Sequence, residues 1–210
     1  MNFIARALLA VVYVLSSAVV LANADEDAAF LRKNLDAMST LQGKFSQSLF
    51  DEKGEKLEES TGSFALQRPG KFYWKTEQPF PQLLVSNNKT IWLYDPDLET
   101  VTERPFTDDM QQTPALLLSE NIEKLRQNFT VSRKVTNTRD EIFTLTPKVT
   151  DGLFQQLTLV FSAGELKEFQ IQDTLGQLSH FLLSQVERNR KISPQLFNFT
   201  PPQGVEILRD

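Results

Sequence analysis

The chain has 210 residues, with 22 Lys+Arg against 27 Asp+Glu, 40% hydrophobic residues and no cysteine. That length suits one domain or at most two small ones, and is ample for a sizeable core. The missing cysteine excludes disulfide staples, thiolate metal sites, a cysteine nucleophile and a cysteine-borne lipid anchor. A formal net charge of −5 excludes nucleic acid as the main partner, because nothing neutralises phosphate on that scale. The 16 Phe outnumber the 2 Trp and 3 Tyr. Phe brings apolar surface with no polar handle, which fits a large core or an apolar cavity.

Residues 1–24 read as a secretory signal. Arg6 is the one charge before Asp25, residues 7–21 form an apolar run broken by Ser16 and Ser17, and Ala22-Asn23-Ala24 is a small-x-small cleavage site. The run is short of the roughly 20 residues that span a bilayer. The expected mature protein is a single domain over residues 25–210, exported and then free in the periplasm if the source is bacterial.

Residues 25–41 predict an amphipathic helix, with Ala28, Leu31, Leu35 and Met38 at helical spacing. From about Gln42 the period changes to two, and Asp51-Glu52-Lys53-Gly54 turns the chain. Strands are predicted at 60–67, 71–75, 82–86, 90–94 and 100–104, separated by turns such as Arg68-Pro69-Gly70 and Asp95-Pro96-Asp97. Phe72 and Trp74 share one strand face, with Tyr73 opposite. The stretch 106–128 reads as an insertion of short helices, with Pro114 well placed in a first turn. Strands resume at 129–135, 141–146, 157–161, 166–173 and 178–186, and residues 197–205 are extended and stiffened by proline. Short strands with frequent turns predict an antiparallel barrel or a strongly curved sheet.

Catalytic signals are weak. His180, the one histidine, lies in an apolar strand with no nucleophile elbow elsewhere in the chain, and reads as a strand residue with a satisfied ring. One His and no Cys cannot supply a zinc site. Asp95, Asp97 and Glu99 could bind calcium but read as turn formers, and Asp108-Asp109 as a solvated loop. Asn88, Asn128 and Asn198 match the glycosylation pattern, which matters only in a eukaryotic secretory pathway. No cofactor is expected.

Several strands are apolar on both faces. Ile91 and Leu93 point one way and Trp92 and Tyr94 the other; Phe143 and Leu145 oppose Ile142. The predicted helices either fill the concave side or leave a cavity for an apolar ligand.

Four segments together resemble one family. They are Gly62-Ser-Phe-Ala-Leu-Gln-Arg68-Pro69-Gly-Lys-Phe72-Tyr-Trp74, Leu84-Val-Ser-Asn-Asn-Lys-Thr-Ile-Trp92-Leu-Tyr94-Asp-Pro96, Thr113-Pro114, and Phe197-Asn-Phe-Thr-Pro201-Pro202-Gln-Gly204-Val205. In this order they resemble the periplasmic outer-membrane lipoprotein carrier family, LolA. The related receptor LolB is itself a lipoprotein, which the missing cysteine argues against. The resemblance implies a mainly β fold with some α: an incomplete antiparallel β-barrel, or half-barrel, covered by a lid of short α-helices over an apolar cavity. It implies a monomeric carrier, not an enzyme. Such a carrier takes acylated lipoproteins from an inner-membrane ABC transporter and hands them to LolB. It assigns Phe72, Trp74, Leu84, Leu116, Leu118 and Phe143 to the acyl cavity and Arg68 to a latch between lid and barrel. Many family members carry a bulky apolar residue after Thr-Pro; Ala115 stands there in this chain. A lipid- or protein-binding sensor of the same fold is the alternative reading.

Overall fold

The computed structural model describes residues 16–106, 118–119, 122–136, 139–149, 152 and 154–209. Helix α1 (Ser16–Asp36) leads into β1 (Thr40–Phe50), β2 (Lys56–Gln67), β3 (Lys71–Gln78), β4 (Gln82–Asn87), β5 (Thr90–Asp95) and β6 (Thr100–Pro105). Helix α2 (Ile122–Asn128) precedes β7 (Phe129–Val135), β8 (Asp140–Pro147), β9 (Phe154–Ser162), β10 (Glu165–Asp173) and β11 (Leu178–Arg188). A short 3₁₀ turn (Pro194–Phe197) and β12 (Glu206–Arg209) complete the chain.

All twelve strands form one sheet in the order β12-β6-β5-β4-β3-β2-β1-β11-β10-β9-β8-β7. Two meanders, β1–β6 and β7–β11, meet where β1 pairs with β11. The sheet is antiparallel except at β12, which lies parallel to β6. It does not close, since β7 and β12 are its two edges. The parallel strand follows the extended, proline-stiffened stretch 197–205 and had no counterpart among the predicted strands.

The concave face carries the main core. Leu31 and Leu35 of α1 pack with Phe45, Phe64, Phe72 and Phe169 of the sheet in one buried cluster. Full burial of such side chains stabilises by about 1.5–3 kcal/mol each. Gly62 permits the curvature here: a Cβ on it would stand 1.9 Å from the Lys75 carbonyl oxygen and 2.7 Å from the Phe45 ring. The convex face is covered by the C-terminal segment. Ala65 of β2 and Phe197 are buried together with Tyr73 against them, and Phe199 lies 5.6 Å from the Tyr94 ring and 6.4 Å from Trp92.

Helix α1 ends at Asp36 rather than 41, because a distant residue stops it. The Asn189 amide donates to the Ala37 carbonyl, and its side-chain oxygen accepts from the Ser39 amide at 2.9 Å. The helix is held to the β7–β8 edge by charge. The Asp27 carboxylate accepts from the Arg133 amide at 2.9 Å. The Arg133 guanidinium binds Glu141 and stacks 3.8 Å over the Phe30 ring, and the Asn34 side chain donates to Glu141 at 3.0 Å. Burial pushes the Glu141 carboxyl up, but the hydrogen bonds from Asn34 and Arg133 and the Arg133 charge outweigh it and hold it below the ordinary range. Among the described residues, the stretch 106–128 contributes one α-helix, α2, with 3₁₀ backbone at 118–119, and no helix is long and apolar enough to cross a membrane.

Candidate functional site

The concave face is an aromatic surface built strand by strand. Period-two alternation points Phe72 and Trp74 of β3 inward. Register sets Leu84 opposite Trp74, and Leu93 opposite Leu84. Across the sheet Phe169 and Phe181 are paired neighbours and stack with ring centroids 4.3 Å apart. Trp74 joins the two meanders. It stacks on Phe45 at 3.9 Å and meets Phe181 edge-on at 5.5 Å.

Beside Trp74 a pocket of about 290 Å³ opens, lined by Leu84, Leu93 and Phe181, with Gln47, Thr76, Gln82 and Arg104 supplying its polar part. Of the residues expected at an acyl cavity, Trp74 and Leu84 line this pocket. Phe72, Leu118 and Phe143 are buried in the packed cluster instead, and Leu116 lies outside the described residues. Phe45, Phe169 and Phe181 complete the surface without having been singled out in the sequence. Alternation along β1, β10 and β11 carries that signal, but only strand register shows that their inward faces meet Trp74.

Arg68 sits in the β2–β3 turn, at the edge of this face. Its amide donates to the Ser39 carbonyl at 3.0 Å. Among the described residues its buried Nε has no hydrogen-bond partner. Burial lowers the guanidinium pKa to about 10, with the Asp36 charge offsetting part of the effect. Two residues on, the Gly70 amide donates to the buried Ser119 carbonyl at 2.9 Å, and the Ser86 hydroxyl donates to the Gly70 carbonyl at 2.8 Å. The turn is thereby fixed both to β4 and to the segment beside Leu118.

The other sequence candidates are occupied by structural work. His180 projects from the convex face with its Nε2 2.6 Å from Glu168 Oε2. The Asp95 carboxylate accepts from the Asp97 and Leu98 amides at 3.0 and 3.1 Å, as a turn former does. Among the described residues no group of three His, Cys, Asp or Glu is placed to hold a metal. Asp108-Asp109 lies outside the described residues.

The comparisons agree with this architecture. Two similar solved structures are a LolA superfamily protein from Nitrosomonas europaea, with TM-score 0.50, 10% identity, and 84% of this chain and 98% of that one covered, and a putative outer membrane lipoprotein-sorting protein domain from Vibrio parahaemolyticus, with TM-score 0.51, 13% identity, and 84% and 97% covered. At those identities they show the fold alone. An outer-membrane lipoprotein carrier protein from Azotobacter vinelandii is 41% identical over 180 residues, covering 86% of each chain. One of the same description from Pseudomonas aeruginosa is 40% identical over 192 residues, covering 90% of this chain and 92% of its own. These relatives bear the name of a carrier and not of an enzyme. The family model described as outer membrane lipoprotein carrier protein LolA matches residues 36–200, a span running from the end of α1 through the aromatic face to Phe199, and the chain therefore belongs to the LolA family.

Proposed function

We propose that this chain is a periplasmic chaperone. It would bind the acyl chains of lipoproteins released from the inner membrane and deliver them to the outer-membrane receptor. Family membership over residues 36–200 carries the reading, and the aromatic concave face supplies its physics. An acyl chain gains about 0.8 kcal/mol per buried CH₂, so one chain left in water is disfavoured by roughly 10 kcal/mol. A carrier that travels through water must cover it.

The pocket beside Trp74 is too small for this task as it stands. Its 290 Å³ lies at the lower end of small-molecule sites, roughly 300–1,000 Å³. Loading therefore requires the packed face to open, with Phe72, Leu118, Phe143 and Leu116 joining Trp74 and Leu84 as the acyl-contact surface. The segment around Leu118 would act as a lid, with Arg68 as its latch. A guanidinium presents five donors in a planar fork, each worth about 1.5–3 kcal/mol when bonded to a backbone carbonyl. Breaking a few such bonds on loading, and re-forming them on release, can balance capture against hand-off.

Cleavage after Ala24 would leave Ala28, Leu31 and Leu35 of α1 in their core positions. The loading partner in this reading is the inner-membrane lipoprotein-releasing ABC transporter and the receiving partner is LolB. The carrier would act as a monomer with no cofactor. Purification of the tagged mature chain from the periplasm, with mass spectrometry of what travels with it, tests the reading. Triacylated lipoprotein near one-to-one supports it; free lipid without lipoprotein overturns it in favour of a lipid sensor or transporter.

A further inference from the structure

The two ends of the sheet differ. At one end the turns are tied down: Gly70 to Ser119, and Ser39 to Asn189. At the other end stand the β1–β2, β3–β4, β5–β6 and β10–β11 turns, and the last three each raise a large apolar side chain into solvent. Phe80 is 67% exposed, Leu98 70% and Leu175 76%, with Leu57 beside them at 52%.

These tips are held rigidly. Phe80 lies between Pro79 and Pro81, whose rings restrict the backbone. The Leu98 amide donates to Asp95 Oδ1 at 3.1 Å and the Leu175 amide to Asp173 Oδ1 at 2.9 Å. Neighbouring turns touch. A Cβ on Gly176 would stand 3.2 Å from Glu52 Cβ, and Gln82 reaches Asp95 at 3.5 Å. Adjacent hairpins stand two strands, about 10 Å, apart. Thr76 and Gln82, which pair just behind Phe80, line the pocket beside Trp74.

Single exposed apolar residues are ordinary; a row of them on braced turns beside a pocket is a set of preformed anchors, which lose little freedom on docking. Charge selects the kind of partner. Asp51, Glu52, Glu55, Asp97, Glu99 and Asp173 surround the tips against Lys53 and Lys148, while Lys56 and Lys75 are paired with Glu59 and Glu77. Anionic lipid repels such a surface.

We propose that this hairpin end docks a protein partner whose apolar pockets are bordered by Lys and Arg, with Phe80, Leu98 and Leu175 as the anchors. The inference rests on the carrier reading, in which that partner loads or receives the cargo. The test compares the mature chain with the triple variant Phe80→Ser, Leu98→Ser, Leu175→Ser. Each is bound to purified LolB and to the purified transporter from the same organism, and to vesicles of phosphatidylethanolamine and phosphatidylglycerol. Acyl cargo and thermal melting are measured on the same preparations.

The expected result is protein binding that weakens with salt and falls at least about tenfold in the variant, with cargo and melting unchanged. Equal affinity of the two chains for both proteins overturns the docking surface. So does tip-dependent binding to vesicles, which makes a bilayer the occupant, or loss of cargo in the variant, which places the tips in the cargo site. A wild-type chain that carries no lipoprotein in the loaded preparation removes the carrier reading, and the docking surface with it.

Discussion

The Gly70 amide donates to the Ser119 carbonyl across 2.9 Å, joining the β2–β3 turn to the segment beside Leu118. Gly70 has φ +73°, and a Cβ there would stand 1.9 Å from Asn88 Oδ1. Gly70→Ala should therefore cost about 1–3 kcal/mol and disturb the tie to Ser119. Urea unfolding of variant and wild type measures the cost. An unchanged midpoint would show that the turn has slack.

Burial works against the charge on Arg68. Its pKa falls well below the ordinary guanidinium range, to about 10, because burial disfavours the charged form. For a cation this is a destabilisation that is fully present below pH 10 and is relieved as pH rises above about 10. Arg68→Met keeps much of the volume and removes the charge. The lifted desolvation cost and the lost latch bonds oppose one another, so stability at neutral pH should stay within about 1–3 kcal/mol of wild type, with a difference that stays flat between about pH 5 and 9. The same variant should impair lipoprotein hand-off, because the latch is gone. A variant that hands cargo on normally would contradict the latch.

Glu141 gives the opposite pH signature. Its carboxyl is held below the ordinary 4.5 in the folded chain. The stability it contributes is present above that value and is lost as pH falls through the folded pKa. Glu141→Gln should cost about 1–3 kcal/mol at pH 7 and remove part of the acid sensitivity below about pH 4.5. Melting temperatures of the two chains across pH 3–7 should converge on the acid side.

Trp74 links both meanders and faces the pocket. Trp74→Ala should destabilise by about 3–5 kcal/mol and reduce acyl binding as well. Trp74→Phe should recover most of the stability. Fluorescence of a bound acyl probe, compared with the denaturation midpoint, separates the two effects.

The β region was legible because it rests on local signals. Alternation put Phe72 and Trp74 on one face and Tyr73 on the other, and the turns at Asp51, Arg68-Pro69-Gly70 and Asp95 ended the strands where they end in the fold. Three features depend on partners far away in sequence. Helix α1 stops at Asp36 because Asn189 captures Ala37 and Ser39. Trp92 and Tyr94 announced a second apolar face, but its cover, Phe199, arrives about a hundred residues later. The meeting of Phe169 and Phe181 with Trp74 depends on how β1 registers with β11. Alternation alone cannot choose that register. Leu116, which the resemblance assigns to the acyl cavity, falls outside the described residues, so the resemblance alone speaks to it.

The most direct test is a release assay with the transporter in proteoliposomes, a labelled triacylated lipoprotein, ATP and the mature chain. The account predicts that the lipoprotein leaves the membrane only when the chain is present, in a soluble complex near one-to-one, and that Trp74→Ala reduces its yield. Lipoprotein that stays in the membrane with chain and ATP both present, while an established carrier of the family extracts it from the same vesicles, would contradict the account.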